Sequence, residues 1–308
     1  MEGILGVWKE AGMTSFDVVF KLRKILHMKK IGHAGTLDPE VSGVLPICLG
    51  TATKMVEFLQ DSGKIYTGSV TLGSTTTTED AQGEVVEELF LTEKQVPVED
   101  VIDEAMRSFL GEITQIPPMY SAVKVNGRRL YEYARAGETV ERPQRKAQIT
   151  EFVRTSPLRY DAEKGTVTFD FRVQCGKGTY VRTLAVDLGA KLGFPSHMSA
   201  LVRQMAGGIT KENCLTLDEI REKMADDTLA SHLLPFEFAL KDFPRQNISP
   251  EIFAKIKNGA VLTNQELNTS EEVLALFYQD QLMSLYHRHP EKKGYYKPLK
   301  VFRTELSS

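Results

Sequence analysis

The segment from Gly32 to Pro46, with the sequence GHAGTLDPEVSGVLP, constrains the fold more than any other part of the chain. Its glycines and prolines interrupt helices and central strands, so we predict a loop here, with Asp38 near its middle. Pro39 favours an extended backbone at Asp38, and Leu37 is apolar, which predicts a stiff and partly buried segment. Such a loop either presents a reactive carboxylate or is a tight turn in which Asp38 caps its own backbone.

Length and composition predict an ordinary globular protein. The chain has 308 residues, a length that is enough for one large and one small domain. Hydrophobic residues make up 42% of it and charged residues 26%, as in an ordinary globular protein. No window approaches the ~20 apolar residues of a membrane span, and the first residues do not form a signal-peptide pattern. We therefore expect a cytoplasmic protein that does not contact a membrane.

The cysteines and histidines do not form a metal-binding pattern. Cys48, Cys175 and Cys214 are far apart, which excludes a disulfide framework and a C-x-x-C site. His287 and His289 lack a third ligand and are more typical of a solvated strand face. We expect neither a metal nor a cofactor.

Charge is distributed unevenly although the formal net charge is only −3. Acidic residues crowd the segment 79–104, whereas basic residues form three clusters, at 21–30, 124–146 and 292–303. A polyanion is attracted by the local field rather than by the total charge. One cluster alone is typical of a solvated face, but three of them are compatible with RNA binding.

Hydrophobic periodicity predicts alternating strands and helices up to about residue 243. The predicted strands are 4–8, 44–50, 64–72, 84–90, 148–153 and 165–174. The predicted helices are 15–26, 51–59, 97–110, 128–137 and 181–192, with a helical stretch over 215–242. A polar linker after residue 243 separates a small unit whose strands at 273–278, 282–287 and 296–302 suggest a small β-barrel.

The segment 116–150 is irregular and basic. Asn126 and Gly127 form a strong hairpin-turn signal, and the following helix interleaves arginines with tyrosines. Guanidinium groups bind phosphates and aromatic rings stack on bases, so this composition suits RNA. An ordinary exposed helix is the alternative.

Five motifs together resemble the TruB family of pseudouridine synthases, and the resemblance covers nearly the whole chain. Residues 32–46 resemble the catalytic motif G-H-x-G-x-L-D-P, and Lys64 to Tyr66 resemble the K-x-Y strand. The stretch PPMYSAVKVNG-RRLYEYAR resembles the mobile thumb that closes over RNA. Gly178 to Arg182 resemble G-x-Y-[IV]-R, and His197 to Arg203 resemble H-x-x-x-L-R-R, with Val202 where an arginine is more usual.

The resemblance implies an α+β pseudouridine synthase fold with a mixed, mainly antiparallel central sheet flanked by helices. Residues 1–243 would form the catalytic domain, including the thumb at about 116–150. Residues 244–308 would form a small, β-barrel-like PUA domain that binds RNA.

The resemblance also implies the reaction and its partner. The family isomerises uridine 55 in the TΨC loop of tRNA to pseudouridine, after flipping the base out of its stack, without a cofactor. Asp38 would attack C1′ or abstract a sugar proton, Arg182 would keep it ionised, and Tyr66 would stack on the uracil and relay the C5 proton. We expect a monomer that binds the T-arm stem-loop and needs no obligatory protein partner.

Further RNA contacts follow from the same resemblance. His33 would fill the space that the flipped base vacates, contact the RNA, or make a structural hydrogen bond. The other predicted substrate-binding residues are Gly35, Leu37, Lys54, Tyr180, Leu201, Lys124, Arg128 and Arg129.

Two alternatives from other classes remain open at this point. A non-catalytic RNA-binding or tRNA-folding protein would also use the basic clusters, but its binding would survive the loss of Asp38. A glycosidase would need a second carboxyl group at ~5–10 Å from Asp38, and the motif does not supply an obvious one.

Overall fold

The computed structural model describes residues 1–306. Residues 307 and 308, which belong to the predicted C-terminal unit, lie outside the described part. The helices are α1 (Ser15–Ile25), α2 (Val56–Asp61), α3 (Glu99–Arg107), α4 (Leu130–Ala136), α5 (Val181–Leu192), α6 (Leu217–Ala225), α7 (Pro250–Ile256) and α8 (Asn264–Leu267). Short 3-10 helices occur at Gly50–Met55, Glu93–Gln95, Lys211–Asn213, Leu229–His232 and Phe236–Leu240.

The strands of the first part are β1 (Gly3–Lys9), β2 (Ile31–His33), β3 (Ser42–Leu49), β4 (Lys64–Leu72), β5 (Ser74–Thr76), β6 (Val85–Glu88), β7 (Gly111–Gln115), β8 (Lys124–Val125), β9 (Arg128–Arg129), β10 (Arg145–Arg154), β11 (Arg159–Asp161), β12 (Thr166–Cys175), β13 (Ser196–Ala206), β14 (Ile209–Thr210) and β15 (Cys214–Leu215). The last strands are β16 (Arg245–Asn247), β17 (Leu262–Thr263), β18 (Val273–Tyr278), β19 (Gln281–Arg288) and β20 (Tyr295–Val301).

A mixed sheet organises the first 215 residues. Its order is β15-β1-β3-β13-β4-β12-β10-β7, and β2, β11 and β14 pair along its sides, which gives 11 strands within residues 1–306. The pairs β1–β15 and β3–β13 are parallel, and the other pairs are antiparallel. The predicted α+β class and the mixed, mainly antiparallel sheet are confirmed.

Helices cover this sheet and build its core. The apolar face of α1, which includes Val18, Val19 and Leu22, packs with β1, β3 and α6 in one buried cluster. Thr14 caps α1 in a capping box with Asp17, an arrangement that stabilises a helix by about 1 kcal/mol. Helices α3 and α5 pack in a second cluster with β4, β10 and β12.

The sheet places three strands around one loop. The connection between β2 and β3, residues 34–41, contains Asp38 and is called the Asp38 loop below. Strand β13 lies between β3 and β4, and Arg203 of β13 stands opposite Gly43 of β3 and Tyr66 of β4. Gly43 has φ +127°, and a Cβ there would lie 2.3 Å from the backbone oxygen of Arg203, so the close approach of β3 to β13 needs glycine.

The C-terminal residues form a five-stranded sheet in the order β16-β18-β19-β20-β17. The three strands predicted here correspond to β18, β19 and β20. Its apolar face joins a buried cluster that also contains residues of β3 and α2, and the Phe58 ring lies 6.0 Å from that of Phe243 and 6.2 Å from that of Phe302. The C-terminal unit therefore shares a hydrophobic core with the first part. The boundary after residue 243 and the PUA assignment stay predictions.

Two predicted helices are shorter than expected. The stretch 51–59 begins as a 3-10 helix and becomes α-helical only at Val56. In the stretch 215–242, α6 ends at Ala225, Asp227 takes a left-handed conformation with φ 55°, and only 3-10 turns follow. Within residues 1–306, no helix is long and apolar enough to cross a membrane.

Candidate active site

The Asp38 loop is fixed on both sides of its carboxylate. The N–H of Leu37 donates to Oγ of Ser15 at 2.8 Å, and Leu37 is buried. The carbonyl of Pro39 accepts from the N–H of Gly12 at 3.0 Å and from Nζ of Lys9 at 2.9 Å. Because the neighbouring residues are anchored, the Asp38 side chain, 44% exposed, projects from a rigid backbone.

Arg203 fixes the Asp38 loop and the start of β3 by hydrogen bonds to their backbone carbonyls. Its side chain is fully buried and donates through Nε to the carbonyl of Val44 at 2.8 Å, through Nη1 to that of Thr36 at 3.3 Å, and through Nη2 to that of Gly35 at 3.1 Å. Gly35 has φ +100°, a conformation that L residues rarely adopt, so the turn that presents its carbonyl to Arg203 requires glycine. Gly35 and Arg203 thus shape the loop that carries Asp38.

Arg182 lies beside Asp38. Its Nε is 3.2 Å from Oδ2 of Asp38, and only 8% of its side chain is exposed. Nη1 donates to the carbonyl of Thr78 at 2.8 Å and Nη2 to that of Tyr120 at 3.0 Å, so the guanidinium is fixed by two backbone groups. Arg182 is the second residue of α5, where the sequence predicted the opening of a helix.

Two cavities meet at this ion pair. One, of about 390 Å³, is lined by Asp38 and Arg182 together with Tyr66, Tyr180 and Leu201. The other, of about 630 Å³, is lined by Asp38, Arg182 and Leu201 and continues toward residues 77–84 between β5 and β6, which are called the Thr-rich loop below. Leu37 lines the smaller cavity as well, so the structure brings together six of the residues that the sequence analysis selected as catalytic or substrate-binding.

Tyr66 and Tyr180 are both protonated in this environment. Burial raises the pKa of the Tyr66 hydroxyl above its usual value, although the neighbouring Arg203 partly opposes the shift. Burial likewise raises the pKa of Tyr180. A neutral phenol can donate a hydrogen bond or relay a proton, but it is a poor base at neutral pH.

Sequence analysis missed the polar role of the Thr-rich loop. Oδ2 of Asp80 lies 3.6 Å from Nη1 of Arg182, and its Oδ1 accepts from Oγ1 of Thr78 at 2.6 Å and from the N–H of Gln82 at 3.0 Å. A second carboxylate thus faces the arginine of the candidate site. The sequence shows Asp80 in a polar segment, but its distance from Arg182 along the chain concealed the contact.

His33 is the last residue of β2, next to the Asp38 loop. Burial lowers the pKa of its imidazole, and the positive charge of Arg203 lowers it further. Its Nδ1 is buried and has no hydrogen-bond partner among residues 1–306. A hydrogen bond with the Gly35 backbone partly opposes the lowering of the His33 pKa, and all three predicted roles of His33 stay predictions.

The predicted thumb hairpin and helix are present. Asn126 and Gly127 both have positive φ and join β8 to β9, and α4 follows. Lys124 and Arg129 are exposed, and exposed Arg128 pairs with Glu138 at 2.8 Å. These three cations lie on the thumb surface rather than beside Asp38.

Tyr131 of α4 and the segment around Tyr120 connect the thumb to the site. Both tyrosines line the 390 Å³ cavity together with Asp38. The guanidinium of Arg129 lies 5.8 Å from the centre of the Tyr131 ring. The thumb therefore reaches the candidate site through its aromatic residues.

Lys54 lies in a different place from the other predicted substrate-binding residues. Its Nζ donates to the carbonyls of Val301 at 3.1 Å and Phe302 at 3.0 Å. The ammonium thus joins the 3-10 helix before α2 to the end of β20. The structure does not bring Lys54 to the cavities around Asp38.

Metal ligands are not grouped in the described part of the chain. Across residues 1–306, no cluster of three or more His, Cys, Asp or Glu side chains could hold a metal ion. Cys48 and Cys175 are buried free thiols, and burial raises their pKa values to about 12 and about 11.

Two family models match adjacent stretches of the chain, which together cover residues 23–241. One, described as TruB family pseudouridylate synthase (N terminal domain), matches residues 23–181. The other, described as tRNA pseudouridylate synthase B C-terminal domain, matches residues 182–241. The two models meet between Val181 and Arg182, at the start of α5.

Curated relatives extend over nearly the full length. The chain is 55% identical over 302 residues to the tRNA pseudouridine synthase B of Streptococcus sanguinis (strain SK36), covering 98% of this chain and 100% of the relative. It is 50% identical over 313 residues to the protein of the same name from Bacillus pumilus (strain SAFR-032), covering 100% of both.

Solved structures share the fold. A chain in the crystal structure of a Cbf5–Nop10–Gar1 complex superposes with a TM-score of 0.72 at 29% identity, over 98% of this chain and 85% of the other. A chain in the structure of an H/ACA RNP bound to a substrate RNA containing 2′-deoxyuridine gives 0.71 at 26% identity, over 98% and 85%. The predicted pseudouridine synthase fold is confirmed, and the chain belongs to the TruB family of pseudouridine synthases.

Proposed function

We propose that this chain is a tRNA pseudouridine synthase that isomerises uridine 55 in the TΨC loop of tRNA, with Asp38 as the catalytic carboxylate. The observation that carries the proposal is the contact between Asp38 and Arg182 at the junction of two cavities, the smaller of which is lined by four tyrosines. Relatives that are 50–55% identical over nearly the whole chain and are named tRNA pseudouridine synthase B support the substrate class.

The substrate must first leave its stack. A stacked base hides both its glycosidic bond and its C5 atom, so the uridine is flipped out at a cost of a few kcal/mol. The 390 Å³ cavity offers Tyr66 and Tyr180 as aromatic surfaces and Leu201 as an apolar contact for the uracil. Stacking on such rings offsets part of the flipping cost.

The chemistry then needs one carboxylate and no net oxidation. The N1–C1′ bond breaks and its electron pair stays on the uracil, while Asp38 either bonds to C1′ or removes the C2′ proton to give a glycal. The uracil turns and C5 bonds to C1′, which releases Asp38 or returns the sugar proton. C5 finally loses its hydrogen, N1 gains a proton, and the product is an isomer of the substrate.

Arg182 and Tyr66 support these steps. The guanidinium of Arg182 makes a charge-assisted contact with Oδ2 of Asp38 and fixes the orientation of the carboxylate. Because burial keeps Tyr66 neutral, its hydroxyl acts as a relay, which donates its own proton as it accepts another, and not as a free base.

The basic thumb is the proposed RNA clamp. Lys124, Arg128 and Arg129 are exposed around the β8–β9 hairpin, where they can reach phosphates of the T-arm. Lys54 is left out of this set because its ammonium is bound to two carbonyls of the C-terminal unit.

Mapping of the modified position tests the proposal. Unmodified full-length tRNA transcript is incubated with the protein, treated with a carbodiimide that marks pseudouridine, and read by primer extension. We expect one new stop, at uridine 55, and no stop with a transcript that carries cytidine there. RNA binding without any stop would favour the alternative of a non-catalytic tRNA-binding protein, and a stop elsewhere would contradict the assigned position.

A further inference from the structure

Gln115 is a buried polar residue close to the site that the proposed mechanism does not use. It is the last residue of β7, and only 1% of it is exposed. A buried amide costs free energy unless its donor and acceptor both form hydrogen bonds. The hydrogen-bond partners of Gln115 therefore indicate which part of the structure its side chain fixes.

Both partners of this amide belong to a single residue. Nε2 of Gln115 donates to the carbonyl of Tyr180 at 3.1 Å, and the N–H of Tyr180 donates to Oε1 of Gln115 at 3.0 Å. Two hydrogen bonds between one planar amide and one backbone unit fix both the position and the orientation of that unit. The side chain of Gln115 thus exchanges two hydrogen bonds with the backbone of Tyr180, as a residue of a neighbouring β-strand would.

Tyr180 is a place where such fixation matters. It is the N-cap residue of α5 and has no capping side chain of its own. Its ring lines the cavity that contains Asp38, and Arg182 follows two residues later. A small rotation of the first turn of α5 would therefore move the ring and the guanidinium together.

Gln115 also stands where the sheet ends and the thumb begins. The next residues lead to Tyr120, whose carbonyl accepts a hydrogen bond from Nη2 of Arg182 at 3.0 Å. The segment 115–120 at the base of the thumb is thus attached to the start of α5 at both of its ends. Gln115 binds the backbone of Tyr180, and the carbonyl of Tyr120 binds Arg182. The position of Arg182 therefore depends on the base of the thumb as well as on α5.

We propose that Gln115 is a positioning residue for the isomerisation: its side-chain amide fixes Tyr180, and through it Arg182, relative to Asp38. The inference rests on the proposed function, and it assigns to Gln115 no contact with the substrate. Misplacement of reacting groups lowers the rate of the chemical step, while RNA affinity comes mainly from phosphate contacts on the thumb surface. Loss of the amide should therefore affect kcat and leave KM nearly unchanged.

Gln115→Met keeps the length of the side chain and removes both hydrogen bonds. The matched control is Ile113→Ala, on the same strand and in contact with the same hydrophobic cluster, which weakens packing without touching Tyr180. Gln148→Met, on the exposed side of β10, controls for the substitution itself. Gln115→Glu is a second variant in case the methionine variant does not fold, because it keeps the shape and one acceptor oxygen but lacks the donor.

Single-turnover and steady-state kinetics on an unmodified T-arm stem-loop are compared with the melting temperature of each variant. We expect Gln115→Met or Gln115→Glu to lower kcat by about 10- to 100-fold with KM within about threefold of wild type, the effect of removing a supporting hydrogen bond behind a reacting group. If Ile113→Ala lowers the Tm as much as the Gln115 variants do, its kcat should still stay within about threefold of the wild-type value.

A loss of kcat no larger than that of Ile113→Ala at equal Tm, or a change confined to KM, would overturn the inference. Absence of turnover by the wild-type protein would instead overturn the proposed function, and this inference with it.

Discussion

The Nε atom of Arg182 lies 3.2 Å from Oδ2 of Asp38, and the same guanidinium donates to backbone carbonyls of two other segments. One buried cation thus joins the Asp38 loop, the Thr-rich loop, the base of the thumb and α5. Its geometry links the carboxylate that we propose to be catalytic to the base of the proposed RNA clamp.

Replacement of Arg182 by lysine should separate charge from geometry. Lysine keeps the positive charge, but it cannot contact Asp38, Thr78 and Tyr120 at once, because it lacks the planar fork of the guanidinium. We expect Arg182→Lys to lower kcat by about 100-fold or more, measured as turnover of a T-arm stem-loop.

Arg154→Lys is the matched control for this substitution. Arg154 is also largely buried and paired with carboxylates, Glu99 and Asp103, but it lies away from the cavities around Asp38. The kcat of Arg154→Lys should stay within about twofold of the wild-type value. Equal losses of kcat in both variants would indicate that stability, and not the contact with Asp38, explains the effect.

Replacement of Tyr66 by phenylalanine should lower activity and leave RNA binding largely intact. The variant keeps the ring that we propose to stack on uracil but loses the buried, neutral hydroxyl, and proton transfer by such a group contributes about 10²- to 10⁴-fold. Filter binding and single-turnover kinetics measure the two effects. A large loss of tRNA affinity would instead make Tyr66 mainly a binding residue.

Tyr160→Phe is the control for the loss of a tyrosine hydroxyl. The hydroxyl of Tyr160 donates to the carbonyl of Leu91 at 2.8 Å, outside the two cavities around Asp38. This variant should lose about 1 kcal/mol of stability and no activity.

Arg203 should matter for stability because it satisfies three buried or half-buried carbonyls of the Asp38 loop and β3. Arg203→Met removes all of these donors while keeping a long side chain. We expect the free energy of unfolding to fall by about 2–4 kcal/mol in urea denaturation, since each orphaned carbonyl is costly. Arg172→Met, at a half-exposed ion pair with Glu151, should change it by less than about 1 kcal/mol. An Arg203 variant as stable as the Arg172 variant would contradict this account of the loop.

Cys48 should give the protein an alkaline pH dependence. Burial raises the pKa of its thiol to about 12 from the ordinary value of 9.0, so in this range the unfolded chain loses the proton before the folded chain does. The stability that this thiol contributes is complete below about pH 9 and is lost as the pH rises toward 12, by about 1.4 kcal/mol per pH unit.

The difference in unfolding free energy between wild type and Cys48→Ala isolates that contribution from other titrating groups. We expect the difference to be constant from pH 7 to 8.5 and to shrink above pH 9. A difference that stays constant up to pH 10.5 would contradict the assignment.

Local patterns predicted the longer helices and about half of the strands, but they missed β13 in the middle of the sheet. Alternation over 64–72 predicted β4 with its bounds, and hydrophobic periodicity over 15–26 predicted α1. The helical stretch 215–242 failed because apolar spacing persisted past Ala225, while the left-handed conformation at Asp227 ended the helix. Periodicity reports which face is buried, and does not report where the backbone turns.

The candidate site was only partly predictable. Residues 32–46 located Asp38, but the contact between Asp38 and Arg182 came from family resemblance, because spacing along a chain does not bring distant residues together. Contacts of Asp80 and Gln115 were missed for the same reason, since each depends on tertiary packing. Lys54 follows the motif closely along the chain, but its ammonium is bound to the C-terminal unit, a contact that the sequence did not predict.

The most direct test of the central claim is tritium release from a T-arm stem-loop RNA labelled at C5 of uridine, with purified protein in EDTA and no added cofactor. Asp38→Asn removes the carboxylate, and Asp218→Asn, at an exposed carboxylate on α6, is the matched control. We expect wild type and Asp218→Asn to release tritium at the same rate and Asp38→Asn to release none, while all three bind the RNA alike. Turnover by Asp38→Asn at the wild-type rate would contradict the assignment of Asp38 as the catalytic residue.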